Sequence, residues 1–155
     1  MDERDLTDLF RRLGAREPAT WAQSQRREGI PQLARFLFLR QAWKQLVGRN
    51  GPAWAQAVRA HPGPGGEATL DALDRMTALG VSEDDLTTVV RHMQRELLFA
   101  ICYLLSDPGE LEPEVRDMAW GFFQLDATGR PVAEIASLHE SVLETDPECD
   151  RRPAD

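Results

Sequence analysis

Residues 31–48, PQLARFLFLRQAWKQLVG, are the first of two stretches that decide the fold. Their apolar side chains wrap most of the circumference of a helix that Pro31 opens and Gly48 closes. A helix that is apolar nearly all round is buried in a soluble protein. We therefore expect this helix in the core, with Leu37 and Trp43 buried.

Residues 82–105, SEDDLTTVVRHMQRELLFAICYLL, are the second stretch. Ser82 followed by Asp85 resembles a capping box, and one apolar stripe then runs along the helix as far as Leu97. From Leu97 to Leu105 the helix is apolar on every side. We expect it to pack against the first helix and to place Leu97 in the core.

The remaining patterns predict a helix-rich α+β protein. Proline and glycine punctuation marks about six helices, two of them central. A hairpin is expected over about 119–136, with Ala127-Thr128-Gly129 as its loop and Phe123 opposite Ala133. Its Trp120 and Phe123 are expected to rest on the helices, since a lone hairpin is marginal in water. Residues 1–147 are interpreted as one domain and 148–155 as a flexible tail.

Composition indicates a soluble protein of the cytoplasm. Hydrophobic residues make up 42% of the 155 residues, the longest apolar run is too short to span a bilayer, and the N-terminal segment lacks the features of a signal peptide. Cys102 and Cys149 are expected to be free thiols. Seventeen arginines against one lysine favour a GC-rich, bacterial source.

Charge is distributed unevenly along the chain. Residues 1–49 carry a balance of +4, residues 50–106 of −3 and residues 107–155 of −9, within a net charge of −8. Such a balance makes nucleic acid and membranes poor partners and favours a protein with a basic surface. The N-terminal arginines could form a basic patch for nucleic acid. The alternative is that they neutralise the acidic C-terminal third of the same chain.

One metal site is conceivable. His92 and Glu96 lie four positions apart on one helix face, and His139-Glu140 is the only other neighbourhood of a histidine and a carboxylate. Neither spacing matches an established signature, so a solvated helix face is the alternative, and no cofactor is predicted.

No catalytic residue is predicted. Ser141 and Cys149 lack the sharp strand-to-helix turn of a nucleophile elbow, and neither cysteine has an electropositive setting.

Candidate partner-binding residues are aromatic and acidic. Trp21 and Trp54 lie on the two more polar helices, and tryptophan is frequent at interface hot spots, although partial burial within the monomer is an equal alternative. Glu140, Glu144 and Asp146 belong to an acidic segment that serves either as a docking surface or as a solvated tail.

These observations lead to three functional hypotheses. The first is a small binding module, comparable to an immunity protein or an antitoxin, that occupies a basic partner. The second is a metal-dependent enzyme that uses His92, Glu96, His139 and Glu140. The third is a homo-oligomeric structural or regulatory subunit, paired through the hairpin edge or through the oppositely charged ends.

Overall fold

The computed structural model describes residues 1–49 and 53–149 and confirms the predominantly helical α+β class. Pro52, the expected start of the fourth helix, and residues 150–155 of the expected tail lie outside the described residues. The elements, in chain order, are α1 (Glu3–Leu13), α2 (Pro18–Arg27), α3 (Gln32–Trp43), α4 (Ala53–Ala60), α5 (Glu67–Ala78), α6 (Glu83–Leu104), β1 (Phe123–Leu125), β2 (Pro131–Glu134) and a 3-10 turn (Leu138–Ser141).

The described residues form two compact units, and the single domain over residues 1–147 stays a prediction. Unit 1 comprises residues 1–44 and 98–149, and unit 2 comprises residues 45–97, so the division falls within α6. Each unit is described separately below.

The core of unit 1 is built on an aromatic triad. Phe10 of α1, Trp21 of α2 and Phe36 of α3 are all buried, and their ring centroids lie 5.4–5.9 Å apart. The two contacts that Phe36 makes are edge-to-face, and contacts of this kind add to the stabilisation from burial alone. A capping box between Asp2 and Asp5 starts α1 and satisfies free backbone N–H groups there.

Helix α3 is buried on one side only, contrary to the prediction of burial all round. Leu39 and Trp43 are buried as expected, but Leu37 is 36% exposed and the polar Arg35 is buried in its place. Helix α3 packs mainly on α2 and on the 3-10 turn, rather than on α6. The Trp43 indole donates a hydrogen bond of 3.0 Å to the carbonyl oxygen of Val142, which fixes this turn against the helix.

The hairpin forms where the sequence predicts it, with its strands one register step away from the expected pairing. Asp126 and Arg130 close the three-residue loop, and Gly129 adopts a φ of +82°. Phe123 lies opposite Glu134, not Ala133. Phe122 therefore faces inward and packs on Phe38 of α3, with ring centroids 4.8 Å apart. Phe123 is left 42% exposed.

Trp120 contacts the end of α6, in line with the expectation that it rests on the helices, but it is not buried. Trp120 is 45% exposed, and its indole donates to the carbonyl oxygen of Leu104 at the end of α6. This bond satisfies a backbone acceptor that the helix itself leaves free.

Unit 2 is held together by polar contacts as much as by apolar ones. Trp54 of α4 donates a 2.8 Å hydrogen bond to the Thr87 hydroxyl of α6. Arg91 donates to the carbonyl oxygen of Val47, whose own N–H donates to the Gln94 side chain.

These contacts overturn the predicted orientation of α6. Thr87 and Arg91 are the buried residues of its first half, while Leu97, expected in the core, is 60% exposed. Of the other residues in the predicted core stripe, Val89 and Met93 are exposed, whereas Leu86 and Val90 are half-buried.

The last turns of α6, in unit 1, bury Leu98 and Cys102 and leave the other large side chains exposed. Over residues 1–49 and 53–149, the structure contains no helix that is both long and apolar enough to cross a membrane.

Candidate functional site

An acidic cavity lies in unit 1, between the end of α2, the start of α3 and the segment that follows β2. Its volume is about 300 Å³, and its lining includes the carboxylates of Glu28, Glu134 and Glu140. Three carboxylates around one depression create a local negative potential that attracts cations. We refer to these three residues as the acidic rim.

Arg35 lies at the inner side of this cavity and organises it. Its guanidinium donates to the carbonyl oxygens of Ala136 at 2.7 Å and Ser137 at 2.6 Å, and it lies 3.9 Å from the exposed Glu140 carboxylate. Ser137 adopts a left-handed conformation with a φ of +52°, which serine rarely does. The two hydrogen bonds from Arg35 hold this turn in place.

The charge of Arg35 offsets part of the acidic rim. Desolvation lowers the pKa of Arg35, although Glu140 and Glu144 act in the opposite direction. Its shortest hydrogen bonds go to neutral carbonyl oxygens, and its single positive charge lies closest to Glu140. The lining of the cavity therefore keeps an excess of negative charge. The cavity is therefore suited to a positively charged group.

A second contact joins the basic and acidic parts of the chain. Arg16, which follows α1, donates to the carbonyl oxygens of Asp146 and Cys149. Glu144 lies in the same region, and desolvation raises its pKa. The Trp21 indole, Arg16 and Arg35 act against this shift, whereas the Glu17 carboxylate adds to it.

The predicted partner-binding residues fall into different environments. Trp21 is only 4% exposed, because it is part of the aromatic triad, and is not a surface anchor. Asp146 is buried as well, whereas Glu140 and Glu144 are exposed. Trp54 is half-buried in unit 2.

Sequence reasoning missed two members of the acidic rim. Glu28 directly follows α2 and Glu134 ends β2, so the two are more than a hundred residues apart in the chain. Only Glu140 belongs to an acidic stretch of sequence. No linear signal relates the three, because they meet only where Arg35 of α3 binds the turn at Ala136 and Ser137.

The four candidate metal ligands belong to two units. In unit 2, Nδ1 of His92 lies 4.0 Å from the Glu96 carboxylate, and Arg95 contacts both side chains. In unit 1, His139 packs against the rings of Phe99 and Tyr103, at 5.6 and 5.0 Å, and its Nδ1 is buried without a hydrogen-bond partner.

Within the described ranges, no three His, Cys, Asp or Glu side chains gather in a way that could hold a metal ion. The metal-dependent enzyme stays a prediction, which metal analysis of purified protein and of a His92→Ala variant would test.

The two cysteines differ in their surroundings. Cys102 is fully buried, and desolvation raises the pKa of its thiol to about 11. Cys149 is exposed. A thiol with a raised pKa is a poor nucleophile, because the thiolate is the reactive form.

Comparison with known proteins adds no relative. No protein-family model, no curated protein and no solved structure matches this chain. The functional argument therefore depends on the geometry of the chain itself.

Proposed function

We propose that this protein is a small binding module that occupies a basic partner protein, in the manner of an immunity protein or an antitoxin. The observation that carries the proposal is the acidic rim, Glu28, Glu134 and Glu140, around a cavity of about 300 Å³. The proposal places the protein in a bacterial cytoplasm, where its thiols remain reduced.

The size and charge of the cavity suit one basic side chain of the partner. A cavity of this volume is at the lower end of those that hold small ligands, and a lysine or arginine side chain fits within it. The surrounding carboxylates would steer a basic surface during the encounter and would fix its register once bound. Glu144, exposed on the same unit, extends the negative surface.

The proposal modifies the mechanism suggested by the sequence. Trp21 and Asp146 are buried and contribute to the stability of unit 1 rather than to contact with a partner. Glu28 and Glu134 take their place as candidate contact residues. Trp54 in unit 2 stays a separate candidate for an aromatic anchor.

Affinity capture from the native host tests this proposal. The bait is the full chain, compared with a Glu134→Gln/Glu140→Gln double variant and with a matched Glu110→Gln/Glu112→Gln control, which removes two charges from exposed positions outside the cavity. A basic protein retained by the wild type and by the control, but lost by the double variant, is the expected result.

Kinetics with the captured protein then test the mechanism. Its association rate with the wild type should fall as salt increases, and the double variant should associate more slowly at low salt. Capture of the same proteins by all three baits, or an association rate that ignores salt, would exclude the acidic rim as a docking site.

A further inference from the structure

The hairpin places an aromatic ring beside a carboxylate on its outer face. Phe123 of β1 lies directly opposite Glu134 of β2, and the side chains of directly opposite residues lie on the same face of a sheet. The inner face instead carries Phe122, which packs on Phe38 of α3. Phe123 and Glu134 are referred to here as the ring–carboxylate pair.

Gly121 shows how close these two groups are to each other. A Cβ atom at this position would lie 2.8 Å from Cε2 of Phe123 and 3.8 Å from Oε1 of Glu134. Both groups are therefore within 4 Å of one point, so the ring and the carboxylate are neighbours. Because the distance to the ring is too short for a real contact, a side chain at position 121 would displace Phe123.

Both members of the ring–carboxylate pair are accessible. Phe123 is 42% exposed, and Glu134 is exposed as well. Among residues 1–49 and 53–149, none forms a hydrogen bond or an ion pair with the Glu134 carboxylate. The outer face therefore presents a free negative charge next to an exposed aromatic ring.

This arrangement suits a guanidinium group. The guanidinium of arginine is planar and always charged, stacks on aromatic rings and forms two parallel hydrogen bonds with one carboxylate. Leu125 and Val132, which are exposed on the same face, offer an apolar surface to the methylene groups of such a side chain. The ammonium group of lysine is a compact and strongly hydrated charge, which gains from the carboxylate but less from the ring.

We propose that the basic partner binds through an arginine side chain that covers Phe123 and pairs with Glu134. The inference rests on the proposed function, because it names the side chain of the partner that meets the acidic rim, to which Glu134 belongs. Phe123 then supplies the aromatic anchor that the buried Trp21 does not. Aromatic residues and arginine are both enriched among the residues that dominate binding energy at interfaces.

Two peptides of equal charge, hexa-arginine and hexa-lysine, test this inference. Both are blocked at their ends and titrated at low salt into the ¹⁵N-labelled full chain, whose amide shifts give the dissociation constants and locate the contact. The wild type should bind hexa-arginine about two- to fivefold more tightly, which corresponds to a cation–π contact at an exposed site. The largest shifts should include the amides of Gly121, Phe123 and Glu134.

Variants separate the contribution of the ring from that of the charge. Phe123→Leu keeps an apolar side chain but loses the ring, so it should lose the preference for hexa-arginine and keep its affinity for hexa-lysine. Gly121→Ala, which displaces the ring, should lower the preference as well. Phe99→Leu is the matched control, because Phe99 is also 42% exposed but contacts His139, and it should keep the preference. Glu134→Gln should weaken the binding of both peptides.

The outcomes distinguish this inference from the proposed function. Equal affinity of the wild type for the two peptides, or a preference for arginine that survives Phe123→Leu, would overturn the inference alone. No binding of either peptide, or binding that Glu134→Gln leaves unchanged, would contradict both proposals. Circular dichroism of the Phe123→Leu variant verifies folding, which a substitution at an exposed position should not disturb.

Discussion

Cys102 shows how burial sets the chemistry of a single side chain. Desolvation raises the pKa of its thiol to about 11. At pH 8, roughly one thiol in a thousand is then ionised, so Cys102 should react slowly with Ellman's reagent. Cys149 is exposed and accessible to the reagent.

We predict one fast equivalent of thiol at pH 8 in the native protein. A Cys149→Ser variant should lose this fast phase, and denaturant should restore reactivity to Cys102. A fast phase that survived the Cys149→Ser substitution would show that Cys102 is accessible.

Glu144 is a residue whose charge opposes folding. Desolvation raises its pKa in the folded chain, so folding favours the protonated form. The resulting loss of stability is full above the folded pKa and disappears below the unfolded value of 4.5, where both states are protonated.

We therefore expect Glu144→Gln to raise the melting temperature at pH 7. The gain over the wild type should shrink as the pH falls through the pKa of Glu144 and should vanish below 4.5. Thermal melts across this range measure it, with Glu110→Gln as the control at an exposed site. If the increase in melting temperature did not depend on pH, it would not come from the loss of the Glu144 charge.

At the scale of the elements, α6 shows why hydrophobic periodicity can mislead. The apolar stripe of this helix comprises Leu86, Val89, Val90, Met93 and Leu97. The buried residues of the first half are nonetheless Thr87 and Arg91. Both make specific hydrogen bonds within unit 2. Periodicity identifies apolar faces, and the hydrogen bonds select which face is buried.

Leucine-to-alanine substitutions test whether Leu97 lies in the core, as the apolar stripe predicts, or on the surface, as in the structure. Leu39 of α3 is fully buried, so Leu39→Ala should lower the free energy of unfolding by about 2–5 kcal/mol. Leu97 is 60% exposed, so Leu97→Ala should cost less than about 1 kcal/mol. Urea unfolding of both variants measures the difference. A large loss for Leu97→Ala would restore the predicted core position.

The hairpin was predictable in its loop but not in its register. Asp126 accepts hydrogen bonds from the N–H groups of Thr128 and Arg130, a local arrangement that the turn residues dictate. The register depends on Phe122 packing against Phe38, a contact across more than eighty residues. Because side chains alternate along a strand, one step exchanges the inner face for the outer.

At the scale of the whole molecule, the basic and acidic parts of the chain contact each other mainly through hydrogen bonds to backbone carbonyl oxygens. Arg16 and Arg35, from the basic third, donate to carbonyl oxygens of the C-terminal third. The carboxylates of Glu134 and Glu140 keep their exposure as a result. The two charged parts therefore meet within unit 1 and cancel only in part.

Arg35 should accordingly be a major determinant of the stability of unit 1. Arg35→Ala removes two hydrogen bonds from a charged donor and should cost about 2–4 kcal/mol in urea unfolding. Arg11→Ala, which breaks an exposed ion pair with Asp8, is the matched control and should cost less than about 1 kcal/mol. Similar losses for the two variants would contradict the role of Arg35.

The sequence by itself determined the helical α+β class, the hairpin loop and the Ser82–Asp85 cap of α6. These depend on propensities, proline and glycine positions and side-chain bonds between residues a few positions apart. Only the tertiary structure decided the orientation of α6, the burial of Trp21 and Asp146, the exposure of Trp120, and the meeting of Glu28, Glu134 and Glu140. Each of these depends on contacts between distant parts of the chain, such as those of Arg35 with Ala136 and Ser137, which no local pattern encodes.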